Sequence, residues 1–130
     1  MEIVVKAVFD TCILIDFLRG IPSARSELML YEERIISTIT FIETLVGSVT
    51  TREEEMIRSF LNTFQVANLD TLVAEKSIEI RRTCRLKVPD AIIYATAKVN
   101  SCILVTRNTK DFKTGWPDIR IPYVLSLIHI

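Results

Sequence analysis

Residues 3–20 read IVVKAVFDTCILIDFLRG, and this stretch decides the fold. Ile3 to Phe9 is short, apolar and rich in β-branched side chains, the pattern of a strand covered on both faces. From Thr11 to Arg19 the apolar residues recur at helical spacing, and Gly20-Ile21-Pro22 closes the run. Asp10 stands at the junction. A buried strand feeding directly into a helix is the opening of a parallel α/β unit.

The alternation continues along the chain. A polar helix is expected from Ser23 to about Glu33, then a strand at Arg34–Ser37. Helices follow at Phe41 to about Val49 and Arg52 to about Phe64, with a third strand at Gln65–Leu69. Asp70 caps a helix running to about Arg85, and Val88-Pro89 stops it. Asp90 to Val99 forms the next helix and Cys102 to Val105 a fourth strand. The turn-rich stretch Arg107–Pro117 precedes a last strand around Ile119–Val124. There is no internal repeat and no linker, so residues 1–130 are expected to form one domain. Its expected class is α/β, a three-layer α/β/α sandwich with a mainly parallel central sheet of four to five strands.

Composition narrows the chemistry. With 130 residues, 49% of them hydrophobic, the chain can bury a proper core. Lys plus Arg and Asp plus Glu are 16 each, which excludes proteins that grip nucleic acid by net charge but leaves room for a local basic patch. The single histidine, His129, excludes a Ser-His-Asp triad and a multi-histidine zinc site. Gly20, Gly47 and Gly115 are too scattered for a phosphate-cradling loop. Cys12, Cys84 and Cys102 have no close pairing and read as reduced core residues of a cytosolic protein. The opening stretch is interrupted by Glu2, Lys6, Asp10 and Asp16 and has no basic leader, so neither a membrane span nor a signal peptide is expected, and the expected location is the cytoplasm. The closing LSLIHI, residues 125–130, reads either as a last strand or as a foreign tail.

What remains abundant is carboxylate. Asp10 ends the first strand, Glu43 lies in the first turn of the helix after the second, and Asp90 opens its own helix after Pro89. Asp111 lies in the loop after the fourth strand, behind Thr106 and Asn108. Ligands of open parallel sheets bind beyond the carboxyl ends of the strands, where strand order switches, and all four acids can reach that rim. Carboxylates gathered there repel one another and resist ionising together. A hard divalent cation such as Mg²⁺ relieves that repulsion and can drive in-line hydrolysis of a phosphodiester. Each acid also has a plainer reading. Asp10 serves as an N-cap, Thr40-Phe41-Ile42-Glu43 matches a capping box, Asp90 suits a helix dipole, and Asp111 shapes a turn. Spacing by itself reaches a possible acidic metal site and no further.

Four blocks carry a resemblance: VFDTCILIDFL, ISTITFIETLVG, VPDAIIYATA and ILVTRNTKDF. In this order, spanning nearly the whole chain, they resemble the PIN-domain ribonucleases, particularly the small VapC-type toxins of toxin–antitoxin pairs. The resemblance implies an Mg²⁺- or Mn²⁺-dependent endoribonuclease whose catalytic and metal-binding acids fall on Asp10, Glu43, Asp90 and Asp111. Thr11, Thr106 and Asn108 would support those carboxylates. Members often carry Asn two places after the first Asp, where this chain has Cys12. That substitution removes a hydrogen-bonding group beside the site but none of the acids.

Asp16 and Asp118 are the nearest rivals for a ligand role, and Asp16 is expected to face solvent. Candidate RNA-binding cations are Arg19, Arg107, Lys110 and Lys113, while Arg81, Arg82 and Arg85 read as a solvated helix face. Trp116 is expected to pack against its loop. A mean hydropathy of +0.33 suggests apolar surface to spare. The family reading assigns it to a homodimer face and to a groove for a cognate VapB-type antitoxin. The stripe Met56, Ile57, Phe60, Leu61 and Phe64 is expected to be mostly core. The competing readings are another acid-cluster enzyme (a phosphatase or receiver), a catalytically silent protein-binding module of the same fold, and a housekeeping RNA-processing nuclease.

Overall fold

In the computed structural model, which describes residues 5–125, the chain alternates strand and helix from one end to the other. The elements are β1 (Lys6–Phe9), α1 (Thr11–Leu18), α2 (Pro22–Leu28), β2 (Glu33–Ser37), α3 (Thr38–Val46) and α4 (Thr51–Leu61). Then come β3 (Gln65–Ala67), α5 (Thr71–Cys84), α6 (Val88–Val99), β4 (Ile103–Val105) and β5 (Ile119–Arg120). Ile3 and Val4 of the expected first strand, and residues 126–130 of the closing tail, lie outside the described residues.

The five strands pair in the order β3-β2-β1-β4-β5, every pair parallel. Strand periodicity divides the core in two. Ala7 and Phe9 of β1, Ile36 of β2 and Val105 of β4 face α1, α2 and α4, packing on Ile13, Leu14, Leu28, Ile57 and Leu61. Val8, Ile35 and Leu104 face the other way, onto Val73 and Ile80 of α5 and Ala91, Tyr94 and Ala95 of α6. This is the expected sandwich, with a sheet parallel throughout. Among the described residues, no helix is long and apolar enough to cross a membrane.

Several boundaries differ from the sequence expectation. The polar helix ends at Leu28 rather than Glu33, and Glu33 already belongs to β2. Helix α3 starts at Thr38, because the Ser37 hydroxyl accepts from the Ile39 and Thr40 N–H groups at 2.9 and 3.4 Å. The expected capping box is therefore absent, and Glu43 lies beyond the first turn. Pro89 does not stop α5. Arg85, in the left-handed conformation at φ 57°, ends α5, while Pro89 sits in the opening turn of α6, where its missing N–H costs nothing. Asp70 does cap α5, accepting from Val73 N–H at 2.9 Å. Asp70→Ala is expected to cost about 1 kcal/mol, measurable as a lower urea midpoint with unchanged slope.

Candidate active site

Strand order reverses at β1 and β4: the chain leaves β1 for β2 on one side and later returns to β4 on the other. The carboxyl ends of these two strands form the rim where an open sheet binds its ligand. Asp10 follows β1 directly, and its N–H still donates to Val105 O at 2.9 Å. Its Oδ1 caps α1 by accepting from Thr11 N–H at 2.8 Å. Its Oδ2 accepts from the Thr106 hydroxyl at 2.7 Å and from the Cys12 thiol at 3.7 Å. The capping role and the site role thus use different oxygens. Burial raises the Asp10 carboxyl's pKa against these hydrogen bonds, and Glu43 adds to the rise.

Glu43 reaches the same place from α3, where Thr11 Oγ1 donates to its Oε1 at 2.7 Å. The buried Thr40 stands 3.1 Å from Thr11 Oγ1 and completes that chain. Asp90, in the first turn of α6, is pushed up to about 6 by burial, then by the charges of Asp10, Asp111 and Glu43, with Lys87 opposing. Asp111 is held by Asn108, whose side-chain amide donates to Oδ2 at 2.9 Å while Oδ1 accepts from Asp111 N–H at 3.2 Å. Asn108 N–H in turn donates to Thr106 Oγ1 at 3.0 Å. Asp10, Glu43 and Asp90 line one open cleft of about 530 Å³, together with Thr11, Cys12, Arg107, Asn108 and Lys110. Asp111 is not in that lining and acts on it through its charge on Asp90.

All these donors are oxygens, which suits a hard cation. Among the described residues no three His, Cys, Asp or Glu side chains stand close enough to hold one ion directly. At any one point the cleft therefore offers an ion no more than two of these side chains. Cys12, pushed up to about 11 by burial and by Asp10, stays a neutral thiol in the cleft wall. All three cysteines are free and half-buried.

The other candidates separate. Lys110 is exposed on the cleft, whereas Lys113 is exposed away from its lining. Arg19 lines a neighbouring groove of about 500 Å³ with Leu18, Thr44, Gly47 and Met56. Arg107 lines the acid cleft while its guanidinium grips Asp16 at 2.7 and 2.9 Å. Asp16, expected in solvent, is 1% exposed, which corrects that reading. Helical spacing from Asp10 carries it under the Arg107 segment and Tyr123 instead of outward. Asp118 is bound by Lys98 at 2.7 Å and by the Tyr94 hydroxyl, away from the cleft. Trp116, expected to pack against its loop, instead stacks on Tyr94 of α6 with ring centroids 5.5 Å apart. Arg81, Arg82 and Arg85 are exposed.

Fold and site together define a small parallel α/β domain with carboxylates gathered at the switch point of its sheet. The PIN domain profile matches residues 7–114. A chain from a toxin–antitoxin complex of Klebsiella pneumoniae is 42% identical, covers 92% of this chain and 99% of its own, and superposes with a TM-score of 0.86. FitAcB from Neisseria gonorrhoeae (23% identity, 92% and 99% coverage, TM-score 0.76) and DNA-bound VapBC from Salmonella typhimurium (24%, 89% and 96%, 0.75) share the fold. No curated protein sequence matches. The chain belongs to the PIN-domain family, and its fold is the one found in the Klebsiella toxin–antitoxin complex.

Proposed function

We propose that the chain is the toxin nuclease of a toxin–antitoxin pair, an Mg²⁺- or Mn²⁺-dependent endoribonuclease. The observation that carries this reading is the cleft itself. Asp90 is held near a pKa of 6 by burial and three other acids, a strain in charge that a divalent cation relieves. When bound, the ion supplies Lewis-acid activation of water and of the phosphodiester. The chain's residues do the rest. Asp10, oriented by Thr11 and Thr106, and Asp90 provide the carboxylates for the ion. Asp111, oriented by Asn108, would add its negative charge to the set that holds the ion. Glu43, held through Oε1, orients the attacking water with its other oxygen. Lys110 and the free face of Arg107 receive phosphate oxygens. A histidine has no part in such a site, and cleavage by water leaves 5′-phosphate and 3′-hydroxyl ends.

The partner reading rests on the Klebsiella relative, a toxin–antitoxin complex. A cognate VapB-type antitoxin and a second copy of the chain are the proposed partners, in the cytoplasm. Val46 and Val49, 78% and 87% exposed, show that apolar surface is left for such contacts. The experiment is incubation of purified chain with a mixed RNA pool in Mg²⁺, in Mn²⁺ and in EDTA. Cleavage is expected with either metal, at least about 100-fold slower in EDTA, with ends that ligate as 5′-phosphates. Absence of cleavage together with absence of metal binding by calorimetry would sink the catalytic reading and leave a protein-binding module.

A further inference from the structure

We propose that Asp16 is a positioning residue which, through Arg107, fixes the 106–111 segment and with it the orientation of Asp10 and Asp111 toward a divalent ion. The metal part of this statement rests on the nuclease reading above; the anchoring does not.

Asp16 is a carboxylate buried to 1% exposure on α1. Burial of a charge is costly unless it is paired and fully hydrogen-bonded. Here Arg107 closes a two-pronged fork, Nε to Oδ2 at 2.7 Å and Nη2 to Oδ1 at 2.9 Å, and the Tyr123 hydroxyl donates to Oδ2 at 2.7 Å. An apolar pair of similar volume would serve stability as well. What a fork adds is direction, because it fixes the plane and position of the guanidinium.

That direction matters because of what flanks Arg107. Thr106 holds Asp10, Arg107 holds Asp16, and Asn108 holds Asp111. Three consecutive residues thus tie three carboxylates, and Asn108 N–H bonds back to Thr106 Oγ1. Only the middle tie leads to a buried group on a rigid helix outside the cleft. Without it, the segment's hold on α1 is reduced to the weak contacts of the Cys12 thiol with Thr106 Oγ1, at 3.7 Å, and with the Arg107 backbone, and the donors of both site acids lose their fixed orientation.

The molecule contains its own control. Glu27, 4% exposed on α2, is gripped by Arg120 at 2.6 and 2.9 Å and by the Tyr31 hydroxyl at 2.8 Å. The chemistry is the same as at Asp16, but neither Glu27 nor Arg120 lines the acid cleft, and Arg120 meets the 106–111 segment through its backbone carbonyl, which accepts from Thr106 N–H at 3.0 Å, and not through the guanidinium that grips Glu27. A purely structural role for Asp16 would make the two sites behave alike.

The test uses the full chain and three variants, Asp16→Asn, Tyr123→Phe and Glu27→Gln. Mn²⁺ affinity is measured by calorimetry and amide exchange is followed over 106–111. Asp16→Asn is expected to weaken Mn²⁺ binding roughly 10-fold, the scale for removing a group that orients metal ligands, and to speed exchange over 106–111. Tyr123→Phe should shift both in the same direction by less. It carries the test alone if Asp16→Asn does not fold, since it strands no charge. Glu27→Gln should lower the melting temperature while leaving Mn²⁺ affinity within about twofold. Equal shifts in Mn²⁺ affinity for Asp16→Asn and Glu27→Gln, or unchanged exchange over 106–111, would overturn the proposal. A wild-type chain that binds no Mn²⁺ overturns the metal reading instead, and exchange over 106–111 then decides the anchoring.

Discussion

Asp90→Asn is expected to slow RNA cleavage severely and, in the metal-free chain, to raise the melting temperature. Both follow from the same crowding. Burial first, and then the charges of Asp10, Asp111 and Glu43 crowded around it, push the Asp90 carboxyl up to about 6 from its ordinary 3.8. The folded state therefore binds this proton more tightly than the unfolded chain does. Its contribution to stability is complete below about pH 4 and is lost as pH rises through about 6. At pH 7–8 the ionised Asp90 opposes folding by about 1 kcal/mol, after discounting the full shift because the side chain is only half-buried. Asparagine carries no charge and escapes that cost, so the variant should melt higher at pH 7–8 and no higher at pH 4.

Addition of Mn²⁺ should reverse the order. An ion that binds only the folded wild type raises its melting temperature by mass action, and the variant, short of one carboxylate, should gain little. Cleavage should fall by roughly 10³-fold, the scale of removing one fixed group from a charge-stabilising set. At limiting metal, wild-type cleavage should rise as pH passes through about 6, because the proton and the ion compete for Asp90. Paired melts at pH 4 and pH 8, with and without Mn²⁺, check the whole pattern. A variant that melts lower than wild type in every condition would show Asp90 to be a helix-opening residue and nothing more.

What could be read from the sequence, and what could not, divides by the range of the interaction. The junction at Asp10 is legible because a strand covered on both faces and a helical repeat meet there within a few residues, and the structure keeps that junction. The Asp70 cap is equally local. The start of α3 was not legible: Ser37-Thr38-Ile39-Thr40 offers three hydroxyls that can each cap a helix. The choice of Ser37 is made by where β2 stops pairing with β3, a contact with Ala67 far along the chain. Asp16 fails for the same reason. Helical spacing marks it as lying off the apolar stripe, but its partners, Arg107 and Tyr123, are 91 and 107 residues away. Thr40 likewise looked like a cap because its partner, Thr11, sits on a different helix. A carboxylate or hydroxyl whose role is set by a distant partner looks like surface until the sheet brings the two together.

Phe112→Ala is expected to have the largest effect on stability of any change near the cleft. Phe112 immediately follows Asp111 and is fully buried. Its ring meets Tyr94 of α6 edge-on at 5.8 Å, and its N–H donates to Asn108 O at 3.1 Å. The turn that presents Asp111 is therefore pinned to the α5–α6 side of the core by the Phe112 ring, with Trp116 stacked on the same Tyr94 a few residues further on. Truncation of a buried Phe removes its transfer energy and leaves a cavity, together about 3–5 kcal/mol. For a domain of this size that corresponds to a fall of about 10–20 °C in melting temperature. Phe112→Leu, which keeps most of the volume, should cost well under half as much. The two variants also separate packing from position. At a temperature where both are folded, Phe112→Leu should hold Mn²⁺ nearly as tightly as wild type, while Phe112→Ala should bind it more weakly because the Asp111 turn has lost its anchor. Circular-dichroism melts and Mn²⁺ calorimetry on the two variants provide the check. A Phe112→Ala chain that melts within a few degrees of wild type would mean that the turn is held by Thr106, Asn108 and the Asp16–Arg107 pair without the Phe112 ring.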